Sequence, residues 1–433
     1  MTTQVDSRGR LTGALLDRVD ESLAETDAFL ASTYPGEDGR RQPVHTVYIP
    51  ADTYTADLPE QWGRTATALV VEHGGLAALC RSLGLSEELG AAVAPRVEAK
   101  LATEPIEDLR LDFEDGYGDR GDASEDAEAV RAAGELARAI SAGRAPAFVG
   151  LRFKCFEAPT RRRGLRTLDL FLSTLLDHGG LPDNLVITFP KVSTVSQVEA
   201  MVAVCEAYET AAGLPAGRLG FEIQVETPQL VVGSDGRLPV AAAIAAGAGR
   251  VTALHYGTYD YSASIGVSAE YQSLAHPAAD FAKEVMQVAV AGTGVHLADG
   301  STNVLPVGST AEVHAAWRLH HDLVRRCLER AYYQGWDMHP GHLPTRYIAN
   351  FAFYREGFTR AAGRLSAYVH RNATGILDEP ATARALARYL YRGYVCGAVD
   401  SAELEAGTGL DATQIELLAR PKSDTESVAA QSG

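Results

Sequence analysis

The segment LRLDFEDG, residues 109–116, decides the fold of this 433-residue chain. Its alternating apolar residues predict a buried β-strand over Leu109–Phe113, and Gly116 ends that strand in a loop. Three acids, Asp112, Glu114 and Asp115, lie within this short segment at the end of the strand. Carboxyl groups at such a position are suited either to hold a divalent cation or to cap the helix that follows.

Four more short apolar runs follow at intervals of about 35 residues, and each ends in a charged residue. This spacing accommodates one strand and one helix per repeat, which predicts an α/β fold with a parallel sheet. We therefore expect a (β/α)8 barrel (TIM barrel), in which the carboxyl ends of all strands meet in one mouth. The charged residues at these strand ends are Arg152, Lys191, Glu226 and Asp260, and the runs are 148–151, 185–190, 219–225 and 251–256.

The remaining strands complete the count of eight. His45–Pro50 is predicted to be the first strand, and the last is expected to end within residues 336–340. The seventh is either Gly294–Leu297 or Asn303–Val307. We expect two helices in the long segment between the first two strands, near 62–83 and 86–101.

Four regions are predicted along the chain. Residues 1–43 comprise a polar start, a helix over 11–30 and a linker, and residues 44–345 form the catalytic barrel. Residues 346–420 form a C-terminal helical extension. Residues 421–433 are expected to be a disordered tail because they are small and polar.

Composition excludes several classes of protein. A formal net charge of −17 argues against nucleic-acid partners, since phosphate binding requires a basic surface. No apolar run approaches the ~20 residues needed to cross a bilayer, so we expect no membrane association. The five cysteines are scattered without a Cys-x-x-Cys pair, which argues against a cysteine-ligated zinc and favours a reducing, cytoplasmic location.

Each charged strand end has more than one interpretation. Arg152 can bind a substrate carboxylate bidentately or pair with an acid such as Glu114. Lys191 can bind an anion, act as a base or fill a salt bridge. Glu226 and Asp260 come from adjacent strands and would leave positions open on a Mg²⁺ ion, although Asp260 could equally cap a helix.

Two further residues are candidates for substrate contacts. Thr258 lies in the glycine-led turn before Asp260, and His339 follows the last strand. A single histidine is more often a structural residue than a ligand, which is the alternative for His339.

Together these motifs resemble the HpcH/HpaI aldolase and citrate lyase β-subunit-like family of the phosphoenolpyruvate/pyruvate barrel superfamily. The resemblance covers roughly residues 44–345, and each motif is short. The resemblance rests on all seven motifs occurring in the same order as in the family. The motifs are HTVYIPA at 45–51, DFED at 112–115, LRF at 151–153, FPKV at 189–192, VET at 225–227, GTYD at 257–260 and MHP at 338–340.

The resemblance implies a lyase or aldolase that makes or breaks carbon–carbon bonds through a metal-bound enolate of a 2-oxo acid of the pyruvate, oxaloacetate or glyoxylate type. It implies Mg²⁺, or alternatively Mn²⁺, on Glu226 and Asp260, with Arg152 binding the 2-oxo acid. Lys191, Glu114 and Asp115 would support the catalysis. It also implies a homo-oligomer, a trimer or a hexamer.

Several alternatives stay open at this point. Phe153-Lys154 replaces the family's small residue and asparagine, and Val44-His45 replaces its arginine, which leaves the use of a coenzyme A thioester undecided. The same site could run a malate-synthase-like condensation or a thioester hydrolysis, or the barrel could bind a metabolite without catalysis. The general base could be a metal-bound water, Lys191 or a residue of the C-terminal extension.

Overall fold

The computed structural model describes residues 11–370 and 379–420 and confirms the predicted (β/α)8 barrel with added helices. Eight parallel strands are hydrogen-bonded in the order β7-β6-β5-β4-β3-β2-β1-β8. The strands are β1 (His45–Pro50), β2 (Asp108–Asp112), β3 (Phe148–Arg152), β4 (Leu185–Phe189), β5 (Phe221–Val225), β6 (Val251–Tyr256), β7 (His296–Ala298) and β8 (Gly335–Asp337).

The barrel closes between its two shortest strands. A single parallel bridge joins Ala298 to Gln334, and the backbone N–H of Asp299 donates to the carbonyl of Gln334 at 2.8 Å. Trp336 N–H donates to the carbonyl of Gly300 at 3.2 Å on the other side of the bridge. Three-residue strands offer few ladder bonds, so this seam is held by fewer bonds than the other strand pairs.

Sixteen α-helices lie in the part of the chain that the structure describes, and several short 3-10 turns join them. The helices are α1 (Gly13–Thr33), α2 (Leu58–Glu72), α3 (Leu76–Ser82), α4 (Glu87–Thr103), α5 (Asp122–Ser141), α6 (Arg161–Asp177), α7 (Val195–Ala212), α8 (Pro228–Val231), α9 (Pro239–Ala246), α10 (Thr258–Ser264), α11 (Pro277–Val290), α12 (Thr310–Glu329), α13 (Leu343–Val369), α14 (Pro380–Val395), α15 (Ser401–Thr408) and α16 (Ala412–Ala419).

The structure decides two points that the sequence left open or misjudged. The seventh strand is β7, which overlaps the first of the two alternatives, and residues 303–307 form a loop. The segment between β1 and β2 holds three helices, α2 to α4, where two were predicted. Gly74 and Gly75 both adopt positive φ and break the first predicted helix into two.

A second hydrophobic core joins the helices after β1 to the C-terminal extension. Val70 of α2 and Val97 of α4 belong to the same buried cluster as Leu365, Leu390 and Ile415 of the extension. The extension therefore packs against the segment between β1 and β2. This cluster is separate from the apolar core between the barrel and its helices.

Helix α1 confirms the helix predicted over residues 11–30, but none of its residues is buried. In the described residues no helix is both long and apolar enough to cross a membrane. All five cysteines are buried and none forms a disulfide. The predictions for residues 1–10 and for a tail over 421–433 lie outside the residues that the structure describes.

Candidate active site

The carboxyl ends of β2 to β6 deliver the predicted residues to one mouth of the barrel. Arg152 is the last residue of β3, and Lys191 follows β4 by one proline. Glu226 comes directly after β5, and Asp260 lies in the first turn of α10 after β6. Glu114 follows β2 by one phenylalanine. Because the strands are parallel, all these side chains reach the same end of the barrel.

Lys191 lies at the centre of this group and contacts the acids. Its ammonium Nζ lies 2.6 Å from Glu114 Oε1, 2.8 Å from Asp115 Oδ2 and 3.3 Å from Asp260 Oδ2. Its backbone N–H donates to Glu226 Oε1 at 2.7 Å. One residue therefore joins acids that follow three different strands.

The backbone of Lys191 adopts an unusual conformation to make these contacts. Its φ is 51°, in the left-handed region that costs a residue with a side chain about 1–2 kcal/mol. This turn directs the Lys191 N–H to Glu226 while the ammonium reaches the acids after β2. The strain is concentrated at the residue that organises the mouth, as is common at functional sites.

Arg152 is held in place from several sides. Its Nε and Nη2 donate to the two oxygens of Asp112, each at 2.7 Å. The guanidinium also lies over the rings of Tyr48 and Trp336, 4.9 and 5.5 Å from their centroids. The expected partner Glu114 is the weaker one, with its Oε2 3.5 Å from Nη1. Nη1 has no contact shorter than that to Gln224 at 3.4 Å in the described residues, so it is the group best placed to bind a substrate oxygen.

Asp112 is fully occupied by this arrangement. Its two oxygens accept from the guanidinium of Arg152 and from the backbone N–H groups of Glu114 and Gly116. A β-carbon at Gly116 would lie 2.6 Å from Asp112 Oδ2, so glycine is needed for this close approach. Asp112 therefore orients Arg152 and has no free oxygen for a metal.

Glu226 is the most strongly perturbed acid of the mouth. It is 2 % exposed, and burial raises its pKa to about 8 against the opposing charges of Lys191 and Arg152. Gly257 makes room for it, because a β-carbon there would lie 2.4 Å from Glu226 Cβ and 2.7 Å from Oε2. A buried carboxyl of this kind gains most from a nearby cation.

Burial also raises the pKa of Glu114, although Arg152 and Lys191 oppose it. Burial acts against ionisation of Asp115 too, but the hydrogen bond and charge of Lys191 outweigh it and lower the pKa. Burial lowers the pKa of the Lys191 ammonium, yet the charges of Glu226 and Glu114 prevail and the net pKa is raised. Lys191 thus stays positively charged in the cation-free mouth and is unsuited to act there as a neutral base.

The charge balance of the mouth fits a divalent cation. Among the residues that the structure describes, two cationic side chains, Arg152 and Lys191, contact five carboxyls: those of Asp112, Glu114, Asp115, Glu226 and Asp260. Grouped carboxylate oxygens are the ligands that Mg²⁺ and Mn²⁺ prefer. Asp260, with 45 % of its side chain exposed, contacts the Lys191 ammonium, and the buried Glu226 accepts from the Lys191 backbone N–H. The assignment of the ion to Glu226 and Asp260 stays a prediction.

Below the mouth the barrel interior is polar rather than filled with aliphatic side chains. Glu222 accepts from Thr188 at 2.5 Å and from Tyr48 at 3.2 Å through Oε1. Its Oε2 lies 2.9 Å from His255 Nε2 and 3.3 Å from Arg110 Nη2. Burial opposes ionisation of Glu222, but Arg110 and His255 outweigh it and lower its pKa. This network supports Tyr48 beneath the guanidinium of Arg152.

The two candidate substrate contacts have hydrogen bonds of their own. The Thr258 hydroxyl is buried and donates to the carbonyl of Ser301 at 3.4 Å. His339 Nδ1 accepts from the N–H of Gly341 at 3.0 Å and caps the 3-10 turn Pro340–His342. These hydrogen bonds fit a structural role for each side chain, and the predicted substrate contacts of both residues stay predictions.

A second cluster near the end of β8 has the donor types of a metal site. His320, Asp337 and His342 offer ligand atoms within 4.8 Å of one another, the single such group in the described residues. Both oxygens of Asp337, however, already accept from Arg346, and they also accept from His45 at 2.7 Å and His320 at 3.0 Å. A metal ion there would face a buried guanidinium without compensating charge. We assign this cluster a structural role in joining β1, β8, α12 and α13.

Several functional residues were missed from the sequence alone. Gln224 shares strand parity with Glu226, which was a usable signal for its inward orientation. Nothing in the sequence indicated that Tyr48 and Trp336 contact Arg152, because β1 and β8 come beside Arg152 only in the folded barrel.

Residues 23–423 match the family described as domain of unknown function DUF6986. The chain belongs to this family. No curated protein matches it.

Solved structures of similar proteins include two types of enzyme. Haloferax volcanii malate synthase in its magnesium/glyoxylate complex has 14% identity and a TM-score of 0.47, over 87% of this chain and 98% of that one. An HpcH/HpaI aldolase/citrate lyase family protein from Burkholderia cenocepacia J2315 has 16% identity and a TM-score of 0.39, over 70% and 90%. Similarity this low transfers no activity to the DUF6986 chain.

Proposed function

We propose that this protein is a divalent-cation-dependent carbon–carbon lyase or aldolase that acts on a 2-oxo acid or its adduct. The observation that carries the proposal is the surplus of carboxyls around Lys191, beside the fixed guanidinium of Arg152. The order of the sequence motifs agrees with it. A divalent cation bound by Glu226 and Asp260 would supply a Lewis acid for the substrate carbonyl.

Substrate binding is assigned to Arg152. Asp112 occupies Nε and Nη2, which leaves Nη1 with contacts of 3.4 and 3.5 Å only. A carboxylate oxygen of the 2-oxo acid would make a shorter, charge-assisted bond with Nη1. Because Asp112 and two aromatic rings hold the guanidinium, Arg152 loses little conformational freedom on binding.

Charge stabilisation is assigned to the two cationic side chains. When the bond between the α and β carbons of the 2-oxo acid adduct breaks, its electron pair forms the enolate and negative charge grows on the carbonyl oxygen. The other fragment leaves as a carbonyl compound once its hydroxyl has lost a proton. Arg152 and Lys191 are fixed before the reaction, so they stabilise this charge without reorganising. Lys191 also orients the Glu226 carboxyl through its backbone N–H.

Two assays test the proposal: exchange of substrate protons with solvent, and cleavage of 2-oxo acid adducts. Methyl-proton exchange of pyruvate in D2O is followed by NMR with Mg²⁺ and with EDTA, and a panel of 2-oxo acid adducts is screened for cleavage. We expect exchange that requires the cation and is lost in Glu226→Gln and Asp260→Asn. Glu60→Gln, an exposed acid on α2, is the matched control and should keep full activity.

Cation binding gives a second readout that does not depend on turnover. Titration calorimetry with Mn²⁺ and Mg²⁺ should show one site that is weakened at least about tenfold in either acid variant, and circular dichroism should show that both variants are folded. Undiminished exchange in EDTA or in both variants would reject the site assignment. Exchange only with an acyl thioester present would favour condensation over the lyase reaction, and cation binding without any turnover would indicate a binding protein.

A further inference from the structure

Helix α1 exposes a continuous apolar stripe. Leu16, Val19, Leu23 and Leu30 follow helical spacing and are 44–50% exposed, and none of the helix's residues is buried. A helix of 21 residues is about 31 Å long. Helices of this length owe most of their stability in water to packing of the apolar face, so the stripe requires a partner.

Within residues 11–370 and 379–420, the chain does not cover this stripe. The connection after the helix is fixed on the barrel, where Gly36 N–H donates to the carbonyl of Gly292 at 2.7 Å. Tyr34 lies against Gly292, since a β-carbon there would be 3.5 Å from the tyrosine side chain. The base of α1 is therefore held while the helix itself projects from the molecule.

A largely apolar groove, which could accept the apolar stripe of α1, lies between α12, α13 and α14. It has a volume of about 510 Å³, and its floor includes Phe353, Ala361, Leu386 and Tyr389. The Tyr389 ring packs edge-on against Phe353 with centroids 5.6 Å apart, and its hydroxyl donates to the Phe353 carbonyl at 2.6 Å. The floor is thus a rigid, largely apolar surface between two helices.

The rim of the groove and the helix carry opposite charges. Among the described residues, three arginines and one acid line the groove: Arg360, Arg364 and Arg325, which binds Glu356 at 2.7 Å. Helix α1 carries five acids and a single arginine. Asp20 and Asp27 fall beside the apolar stripe by helical spacing. An acidic amphipathic helix suits a basic, apolar-floored groove.

We propose that α1 of one copy docks in the α12–α13–α14 groove of a second copy. The complementary helix and groove both belong to this chain, so one contact between two copies satisfies both surfaces. If each helix enters the other copy's groove, the pair is closed by a two-fold axis and the buried area doubles. The same acidic charge on both helices disfavours direct pairing of α1 with α1.

Analytical ultracentrifugation of the full chain tests this proposal. We expect a dimer whose dissociation constant rises at least about tenfold in Leu16→Gln/Leu23→Gln and also in Arg360→Glu. Val71→Gln changes an exposed valine on α2 and should leave the dimer intact, as should the conservative Arg360→Lys. Combining Asp27→Lys with Arg360→Glu should restore association lost in either single variant. Circular dichroism confirms that each variant is folded.

Three outcomes would overturn the proposal. The first is a monomeric wild-type protein at tens of micromolar. The second is a dimer that is weakened by the α1 variants but not by Arg360→Glu, which would place the helix on another surface. The third is a monomer in which the groove variants alter α1, which would mean that the helix docks on its own chain. None of these outcomes bears on the lyase activity.

Discussion

Replacing Glu226 by glutamine should remove a pH dependence of stability in the cation-free protein. The folded carboxyl has a pKa of about 8, raised by burial from the ordinary 4.5, so between these values the folded state holds a proton that the unfolded chain has lost. Stability therefore falls as pH rises through this window. Between pH 5.5 and 8.5, ionisation of Glu226 lowers the free energy of unfolding by about 3 kcal/mol.

Urea unfolding in EDTA at pH 5.5, 6.5, 7.5 and 8.5 measures this contribution. Over this pH range the free energy of unfolding of the wild type should fall by about 3 kcal/mol more than that of Glu226→Gln. The reason is that glutamine keeps the acceptor for Lys191 N–H and does not ionise. Glu72→Gln, an exposed change on α2, should follow the wild type. Saturating Mg²⁺ should remove most of the difference if the cation binds the ionised carboxylate. If the free energy of unfolding changed with pH by the same amount in the wild type and in Glu226→Gln, the raised pKa of Glu226 would be refuted.

Three other substitutions test the geometry of the mouth. Gly257→Ala would place a β-carbon 2.4 Å from Glu226 Cβ and should weaken divalent-cation binding at least about tenfold by calorimetry; unchanged affinity would contradict the assigned site. Arg152→Met leaves Asp112 buried without its partner and should cost about 3–5 kcal/mol in urea unfolding. A second change, Asp112→Asn, should restore part of this by removing the unpaired charge, because its amide oxygen still accepts from a backbone N–H. Lys191→Gly should be about 1 kcal/mol more stable than Lys191→Ala, since glycine adopts a φ of 51° without strain, and equal stabilities would argue against that strain.

The barrel was predictable because its signal is local and repeated. Each strand is a short apolar run, and the interval between runs fits one crossover helix. The seventh strand was ambiguous because three residues carry too little pattern to outweigh a neighbouring apolar loop. The extra helix between β1 and β2 was missed because its break depends on two glycines at positive φ.

The partner of Arg152 shows where prediction from the sequence ended. Asp112 is the last residue of β2 and Glu114 follows two positions later on the same face, and Glu114 was the partner named from the sequence. The parallel register places Asp112 directly beside Arg152, so Asp112 takes the bidentate contact and Glu114 is left for Lys191. Register is a property of two strands together and is absent from either one alone.

The sequence by itself determined the alternation of strands and helices and the charged residues at the strand ends. Both follow from the periodicity of side chains along the backbone. Only the tertiary structure decided which charges meet, that Lys191 lies among four acids, and that α1 is not covered by the part of the chain that the structure describes. Those outcomes depend on distances between residues that are far apart in the sequence. Strand register, barrel closure and the backbone conformation of single residues set these distances.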